Sequence, residues 1–172
     1  MGELVTQLLD LSRTETAKVQ MEPVDFSRVV MGEVLPFESV AFEKGISIKS
    51  DIDEGIMVLG NRSQLSQLTA ILVDNAISHA EGDGGIGISL KSHSRYSVLT
   101  VENSGQEIPK EHLDRLFERF YRVDDARSGD EPHYGLGLAI AKAVAESHDG
   151  RISVSCSGGK VIFQVMIPEK KI

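Results

Sequence analysis

The chain predicts a two-layer α/β sandwich, and two observations lead there. Stretches of helical period and stretches of strict alternation are intermixed along it, without the regular βαβ succession that builds a parallel sheet. Its 172 residues, 41% of them hydrophobic, suffice for one good core, so one domain with a short appendage is expected.

In chain order, Leu4, Leu8 and Leu11 stand at i, i+4 and i+7 and mark residues 1–18 as a helix with a narrow apolar stripe. Isolated helices below about 12–15 residues are marginal in water, so this one is expected to lean on a partner helix absent from the chain. Pro23-Val24-Asp25 breaks the pattern and puts a boundary near Glu22. Asp25 or Ser27 can cap a helix running to about Lys44, with Gly45 as its stop. Residues 46–50 alternate as a strand does, and 56–59 read as a short second one. Asn61 or Ser63 can cap the next helix, whose Leu65, Leu68, Ile71, Leu72, Val73, Ala76 and Ile77 cover nearly its whole circumference and predict burial. A turn at residues 81–85 leads to an antiparallel pair, 86–91 and 96–101, around residues 92–95. A short helix after Pro109 and an irregular polar stretch at 122–134 follow. Leu136, Ile140 and Val144 mark a final helix ending at Gly150, and residues 152–154 and 161–167, joined by Gly158-Gly159, close the chain as a hairpin.

The formal net charge of −8 repels nucleic-acid phosphates, and the only dense basic run is Lys170-Lys171, so no nucleic-acid partner is expected. The lone Cys156 allows no internal disulfide and offers no metal-site spacing, which fits a reducing compartment. No run of about 18 apolar residues spans a bilayer and no leader pattern opens the chain, so a soluble protein is expected.

Three stretches carry chemistry. Asp74, Asn75, Ser78 and His79 form a polar stripe within about one turn of a helix read as buried, where an unpaired amide costs about 1–3 kcal/mol. The Asn75 carboxamide can complete a Mg²⁺ shell made otherwise of phosphate oxygens and water; a hydrogen bond to neighbouring backbone explains it equally. Gly135-Leu136-Gly137 at a helix start offers free N–H groups and the positive end of the dipole to a phosphate, although a plain turn would look the same. Asn103, at a strand end before Ser104-Gly105, can offer its amide oxygen to an exocyclic amine such as that of adenine, or can make an ordinary Asx turn. Their joint occurrence in this order favours a pocket for a charged nucleotide.

From about residue 22 to its end, the chain resembles the catalytic ATP-binding domain of bacterial sensor histidine kinases, in the superfamily that includes gyrase B, Hsp90 and MutL. Val73-Asp74-Asn75-Ala76 resembles the family's N box, and Val101-Glu102-Asn103-Ser104-Gly105-Gln106-Glu107-Ile108-Pro109 its first glycine box. Leu116-Phe117-Glu118-Arg119-Phe120-Tyr121-Arg122 is similar to the F box, and residues 135–140 to the second glycine box. Gly150-Arg151-Ile152, Gly158-Gly159, Phe163 and Ile167-Pro168 resemble the family's end, and residues 1–21 the last turns of its dimerisation and histidine-phosphotransfer helix.

The resemblance implies a Bergerat-type ATP-binding fold, a mixed five-stranded sheet backed by about three helices, with ATP held under a mobile lid. It implies Asn75 as the catalytic position and Mg²⁺ ligand, and Asn103 and Gly105 at the adenine. Ser78, His79 and Ile108 would also border the nucleotide, Gly135, Leu136, Gly137 and Leu138 would lie by its phosphates, and Arg119, Phe120 and Arg122 at the lid border. It implies ATP and ADP as ligands, a histidine-phosphotransfer domain and a response regulator as partners, and a full-length homodimer anchored in the bacterial inner membrane with this domain in the cytoplasm.

The departures from the family pattern define the alternatives. Asn103 replaces a usual Asp, which removes charge assistance from the adenine contact. Glu107 replaces a glycine, Ser78 stands where Lys or Arg is common, and Pro132-His133-Tyr134 replaces extra glycines. Together these leave open a degenerate nucleotide-binding module that signals through contacts. A gyrase- or Hsp90-like ATPase would need a carboxylate one turn before Asn75, where Ile71 stands. A pure protein-interaction domain would not explain the glycine boxes. None of His79, His93, His112, His133 or His148 lies in the family's phospho-acceptor pattern, so the acceptor is expected outside the chain.

Overall fold

The computed structural model describes residues 5–9, 11–12, 20–81, 84–121 and 136–170. After residues 5–9 and 11–12, which are helical, come β1 (Glu22–Asp25), α1 (Phe26–Glu43), β2 (Ile48–Ile52), β3 (Met57–Gly60) and α2 (Arg62–His79). Then follow β4 (Ile86–His93), β5 (Tyr96–Ser104), α3 (Lys110–Leu113), α4 (Gly137–Ser147), β6 (Arg151–Ser157) and β7 (Lys160–Pro168).

The main sheet has the strand order β2-β4-β5-β7-β6, with β2 parallel to β4 and every other neighbour antiparallel. Its inward residues, among them Ile88, Leu90, Leu99, Val101, Phe163 and Val165, meet the apolar faces of α1, α2 and α4 in one core. This is the expected two-layer sandwich, and its mixed sheet is the one the resemblance implied.

The helices start where the sequence supplies caps. The Asp25 carboxylate accepts from the Arg28 N–H at 3.1 Å, and Asn61 Oδ1 accepts from the Gln64 N–H at 3.0 Å. Each satisfies one of the donors a helix start leaves open. Asp25→Ala is expected to cost about 1 kcal/mol, read as a shift in the urea midpoint with an unchanged slope.

Several boundaries differ from expectation for local reasons. Residues 22–25 form a strand rather than a mere break: β1 pairs antiparallel with β3, Glu22 opposite Gly60 and Asp25 opposite Met57. A proline hides so short an edge strand. The strand expected at 46–50 begins at Ile48, because the Ile46 N–H closes off α1 on the Ala41 carbonyl at 2.8 Å. Its successor likewise begins at Met57, one residue later than expected. β4 and β5 run through the residues read as their loop and turn on Ser94 and Arg95 alone, at φ +48° and +71°. Such a two-residue turn needs positive φ at both positions and is normally signalled by Asn or Gly.

α4 stops at Ser147 rather than Gly150. His148 is its C-cap, Asp149 takes φ +58°, and the Gly150 N–H returns to the Ala145 carbonyl at 2.9 Å. Gly150 is required there because a Cβ on it would lie 2.2 Å from the Met166 carbonyl oxygen of β7. The N-terminal stripe also behaves differently from expectation. Leu11 is buried in the same core as Val24 and Phe26, so part of the stripe is used inside the domain, while Val5, Leu8 and Leu9 are exposed. Leu4 lies outside the described residues.

Candidate functional site

α2 is the axis of the site. Leu65, Leu68, Leu72, Val73, Ala76 and Ile77 bury one face of it, but Ile71, Asp74 and Asn75 are half-buried and Ser78 and His79 exposed. The expectation of burial all round is thereby corrected. The helix covers the core with one side and turns its polar stripe outward, so the stripe carries no desolvation penalty of the buried kind.

Two glycines show what adjoins that stripe. A Cβ on Gly137 would lie 3.5 Å from Ile71 Cγ2, so the start of α4 abuts α2 one turn before Asn75. Residues four apart on a helix are about 5–6 Å from one another, which brings Asn75 beside the same helix start. At the other end of the stripe, a Cβ on Gly105 would lie 3.1 Å from the His79 carbonyl oxygen and 3.4 Å from Asn103 Nδ2. The three sequence-predicted stretches therefore converge on the C-terminal half of α2. A strap holds this end: the Ser104 hydroxyl donates to the Glu81 carbonyl at 2.8 Å and the Glu81 N–H donates to the Ser104 carbonyl at 2.9 Å. Sequence reasoning took Ser104 only as part of a glycine box; nothing in its spacing signals the strap.

The individual groups suit a nucleotide. α4 begins without a side-chain cap and without an acidic residue in its first turn, leaving N–H groups and the dipole available to an anion. Leu136 is fully buried beneath that start and Leu138 is half-buried. Asn75 makes no side-chain hydrogen bond among the described residues, so its amide oxygen is available to a ligand. No group of three or more His, Cys, Asp or Glu side chains is placed to hold a metal among the described residues. A Mg²⁺ ion held by Asn75 would thus draw its other ligands from phosphate and water, which is how Mg²⁺ commonly binds.

Asn103 lies on the inward face of β5, opposite Ile86 of β4 and Val161 of β7, and is 2% exposed. Its Nδ2 donates to the Ser104 carbonyl at 3.2 Å, which orients the amide and leaves Oδ1 as the group a ligand donor can meet. Ile108 is half-buried, its N–H directed at Cys156 Sγ at 3.3 Å. Farther on, Leu116 is buried, Phe117 packs edge-on against Phe163 at 6.2 Å, and Arg115 lies 4.5 Å over the Tyr121 ring, whose hydroxyl contacts His112. This holds residues 110–121 to the sheet and leaves Arg119 and Phe120 exposed, Phe120 with φ +63°. Arg122, Gly135 and the expected lid at 122–134 lie outside the described residues. A groove of about 650 Å³ between residues 107–114 and β6 shares only Ile108 with the expected site residues.

A two-layer sandwich thus brings an uncapped helix start, the Asn75 carboxamide and the strand-end Asn103 amide together around one helix. Residues 60–171 match the family of histidine kinase-, DNA gyrase B- and HSP90-like ATPases, and the chain belongs to it. Sensor protein DltS of Streptococcus agalactiae serotype V is 36% identical over 167 residues, 96% of this chain and 42% of that protein. Sensor histidine kinase RppB of Synechocystis is 34% identical over 172 residues, 98% of this chain and 38% of that protein. The chain thus spans about two fifths of the length of the curated relatives it matches. Among solved structures, the Acinetobacter baumannii histidine kinase AdeS superposes with a TM-score of 0.80 at 28% identity, covering 99% of this chain and 79% of that one. Full-length ShkA in complex with AMPPNP shares the fold, with a TM-score of 0.85 at 23% identity over 99% of this chain and 36% of its own. The chain is therefore a catalytic ATP-binding domain of the sensor histidine kinase type. No helix among the described residues is long and apolar enough to cross a membrane.

Proposed function

We propose that this domain transfers the γ-phosphoryl group of Mg·ATP to a histidine of an adjacent phosphotransfer domain, within a two-component sensor. The acceptor imidazole nitrogen attacks the γ-phosphorus as the bond to the ADP oxygen breaks, and ADP leaves. The domain works by positioning and charge neutralisation rather than by covalent chemistry of its own. Asn75 holds the Mg²⁺, which neutralises phosphate charge. The start of α4, from Gly135 through Leu138, receives the phosphates on backbone N–H groups, while Asn103, Gly105 and Ile108 border the base. Ser78 and His79 border the nucleotide along α2, and Phe120 and Arg122 border the lid. Ile71 offers no carboxylate to activate water, which favours transfer over hydrolysis.

Residues 1–21 serve in this reading as the end of the dimerisation and phosphotransfer helix, and 22–172 as the catalytic domain. The intact protein would be a membrane-anchored homodimer with this domain in the cytoplasm. A response regulator is the downstream partner; ThkA, a structural neighbour at 22% identity, was solved in complex with the response regulator TrrA.

The observation that carries the proposal is the packing of Gly137 against Ile71, one turn before Asn75, and of Gly105 against His79 at the far end of the polar stripe on the same helix. Calorimetric titration of the chain with ADP, with and without Mg²⁺, tests it. Micromolar to submillimolar binding that weakens at least about tenfold without the metal is expected. No binding at millimolar nucleotide would select the degenerate module, which Asn103, Glu107 and Ser78 favour.

A further inference from the structure

His148 is buried at the end of α4, with only 4% of its surface exposed, and both ring nitrogens are committed. Nδ1 lies 2.7 Å from the Val144 carbonyl oxygen, which can only accept, so Nδ1 carries the proton. Nε2 lies 3.0 Å from the Asn61 backbone N–H, which can only donate, so Nε2 must be bare. The geometry alone requires a neutral imidazole of one tautomer; a second proton would set donor against donor. Gly60 leaves room for the ring, since a Cβ there would lie 2.7 Å from Cδ2 and 2.9 Å from Nε2. Beside it the Ser147 hydroxyl is 3.4 Å from Gln64 Oε1, a second tie to the first turn of α2.

Asn61 is the N-cap of α2, so this contact joins the end of α4 to the beginning of α2. At the opposite end of the pair, Gly137 meets Ile71, ten residues along α2 and eleven along α4. At 1.5 Å rise per residue those spans are about 15 and 16 Å, so the two contacts mark the two ends of an antiparallel helix pair. Between these ends the helices pack apolar side chains, Leu65, Leu68 and Leu72 of α2 and Ile140, Ala141 and Val144 of α4, in the common core, which does not by itself fix their register. The His148 bond adds a directional tie at the far end of that packing.

We propose that His148 is a positioning residue for the nucleotide site, locking the far ends of α2 and α4 so that Asn75 and the helix start at Gly137 keep their mutual geometry. The proposal rests on the nucleotide reading above. Burial holds the ring's pKa below its ordinary 6.5, while the Val144 hydrogen bond and the exposed Asp149 carboxylate pull the other way. Asp149 is the charged neighbour acting on the ring, and the groups that β3 and α2 present to it, Gly60, Asn61 and Gln64, are neutral. Because folding lowers this pKa, the unfolded chain takes up the proton first. The lock's contribution is whole above about pH 6.5 and declines as the pH falls below it.

The test follows the His148 imidazole by NMR and Mg·ADP affinity by calorimetry, between about pH 5 and 8, in the wild-type chain, His148→Gln and Asn61→Asp. The folded His148→Gln variant is expected to bind about tenfold more weakly at neutral pH and to retain only the ligand's own pH dependence. Asn61→Asp keeps the capping oxygen but adds a negative charge near the ring. It is expected to raise the NMR midpoint and move the acid loss of affinity to higher pH by the same interval. A folded His148→Gln that binds like wild type overturns the proposal, as does an Asn61→Asp chain whose imidazole midpoint moves while its affinity profile stays. Should His148→Gln fail to fold, the Asn61→Asp comparison decides. Wild-type protein that binds no Mg·ADP at any pH removes the nucleotide reading itself and the proposal with it. Binding indifferent to His148 removes the proposal alone.

Discussion

Asn75→Ala is expected to abolish the gain in nucleotide affinity that Mg²⁺ provides, leaving a chain that binds ADP equally with and without the metal. Asn75 stands half-buried on the outward stripe of α2 and makes no side-chain hydrogen bond among the described residues. Removing its amide therefore opens no core cavity and strands no internal partner. Surface changes of that kind usually alter stability by no more than about 0.5 kcal/mol, so the thermal midpoint should hardly move. Mutating even an outer-shell partner of a metal ligand typically costs about 10- to 100-fold in affinity, so loss of a direct ligand is expected to cost at least as much. Paired titrations in Mg²⁺ and in chelator measure both sides of that contrast. Metal that still tightens binding in a folded Asn75→Ala chain would assign the ion to other groups.

The largest effect on the fold itself is expected from Gly150→Ala. The added Cβ would lie 2.2 Å from the Met166 carbonyl oxygen and 3.2 Å from that of Ala145, both main-chain atoms. No side chain can swing aside to relieve it; β7 or the end of α4 has to move. A loss of more than about 3 kcal/mol is expected, at the upper end for overpacking, measured as the urea midpoint. Gly45→Ala supplies the comparison. Nothing lies within 4 Å of a Cβ there, and only its φ of +71° resists a side chain, so a loss of about 1–2 kcal/mol is expected. Equal losses at the two positions would mean that close approach does not govern Gly150.

What the sequence disclosed, and what it withheld, follows from the range of the interactions involved. Asp25 and Asn61 were legible as caps because a side-chain oxygen meets an N–H three residues on. The closing hairpin was legible because Gly158 and Gly159, both at positive φ, sit between alternating strands. Ser94 and Arg95 adopt the same kind of turn without the residues that announce it, so β4 and β5 were read short. β1 escaped notice because its identity depends on Met57–Gly60, more than thirty positions away by sequence number. At the site, the residue types of the three boxes were readable, but their convergence was not. The contacts of Gly137 with Ile71 and of Gly105 with His79 are tertiary. His148 read only as a histidine at a helix end, since its significance lies in Asn61, 87 residues distant.

The small β1–β3 sheet has a mechanical consequence. Glu22 faces Gly60 across it, and Gly60 directly precedes Asn61, the N-cap of α2. On the other side of β3, the Lys170 N–H bonds the Met57 carbonyl at 2.8 Å and Val58 bridges Glu169. Both the incoming and the outgoing backbone are thus riveted to the same four-residue ribbon. A displacement at Glu22 would therefore reach the root of α2 and the end of β7 through the same short splice.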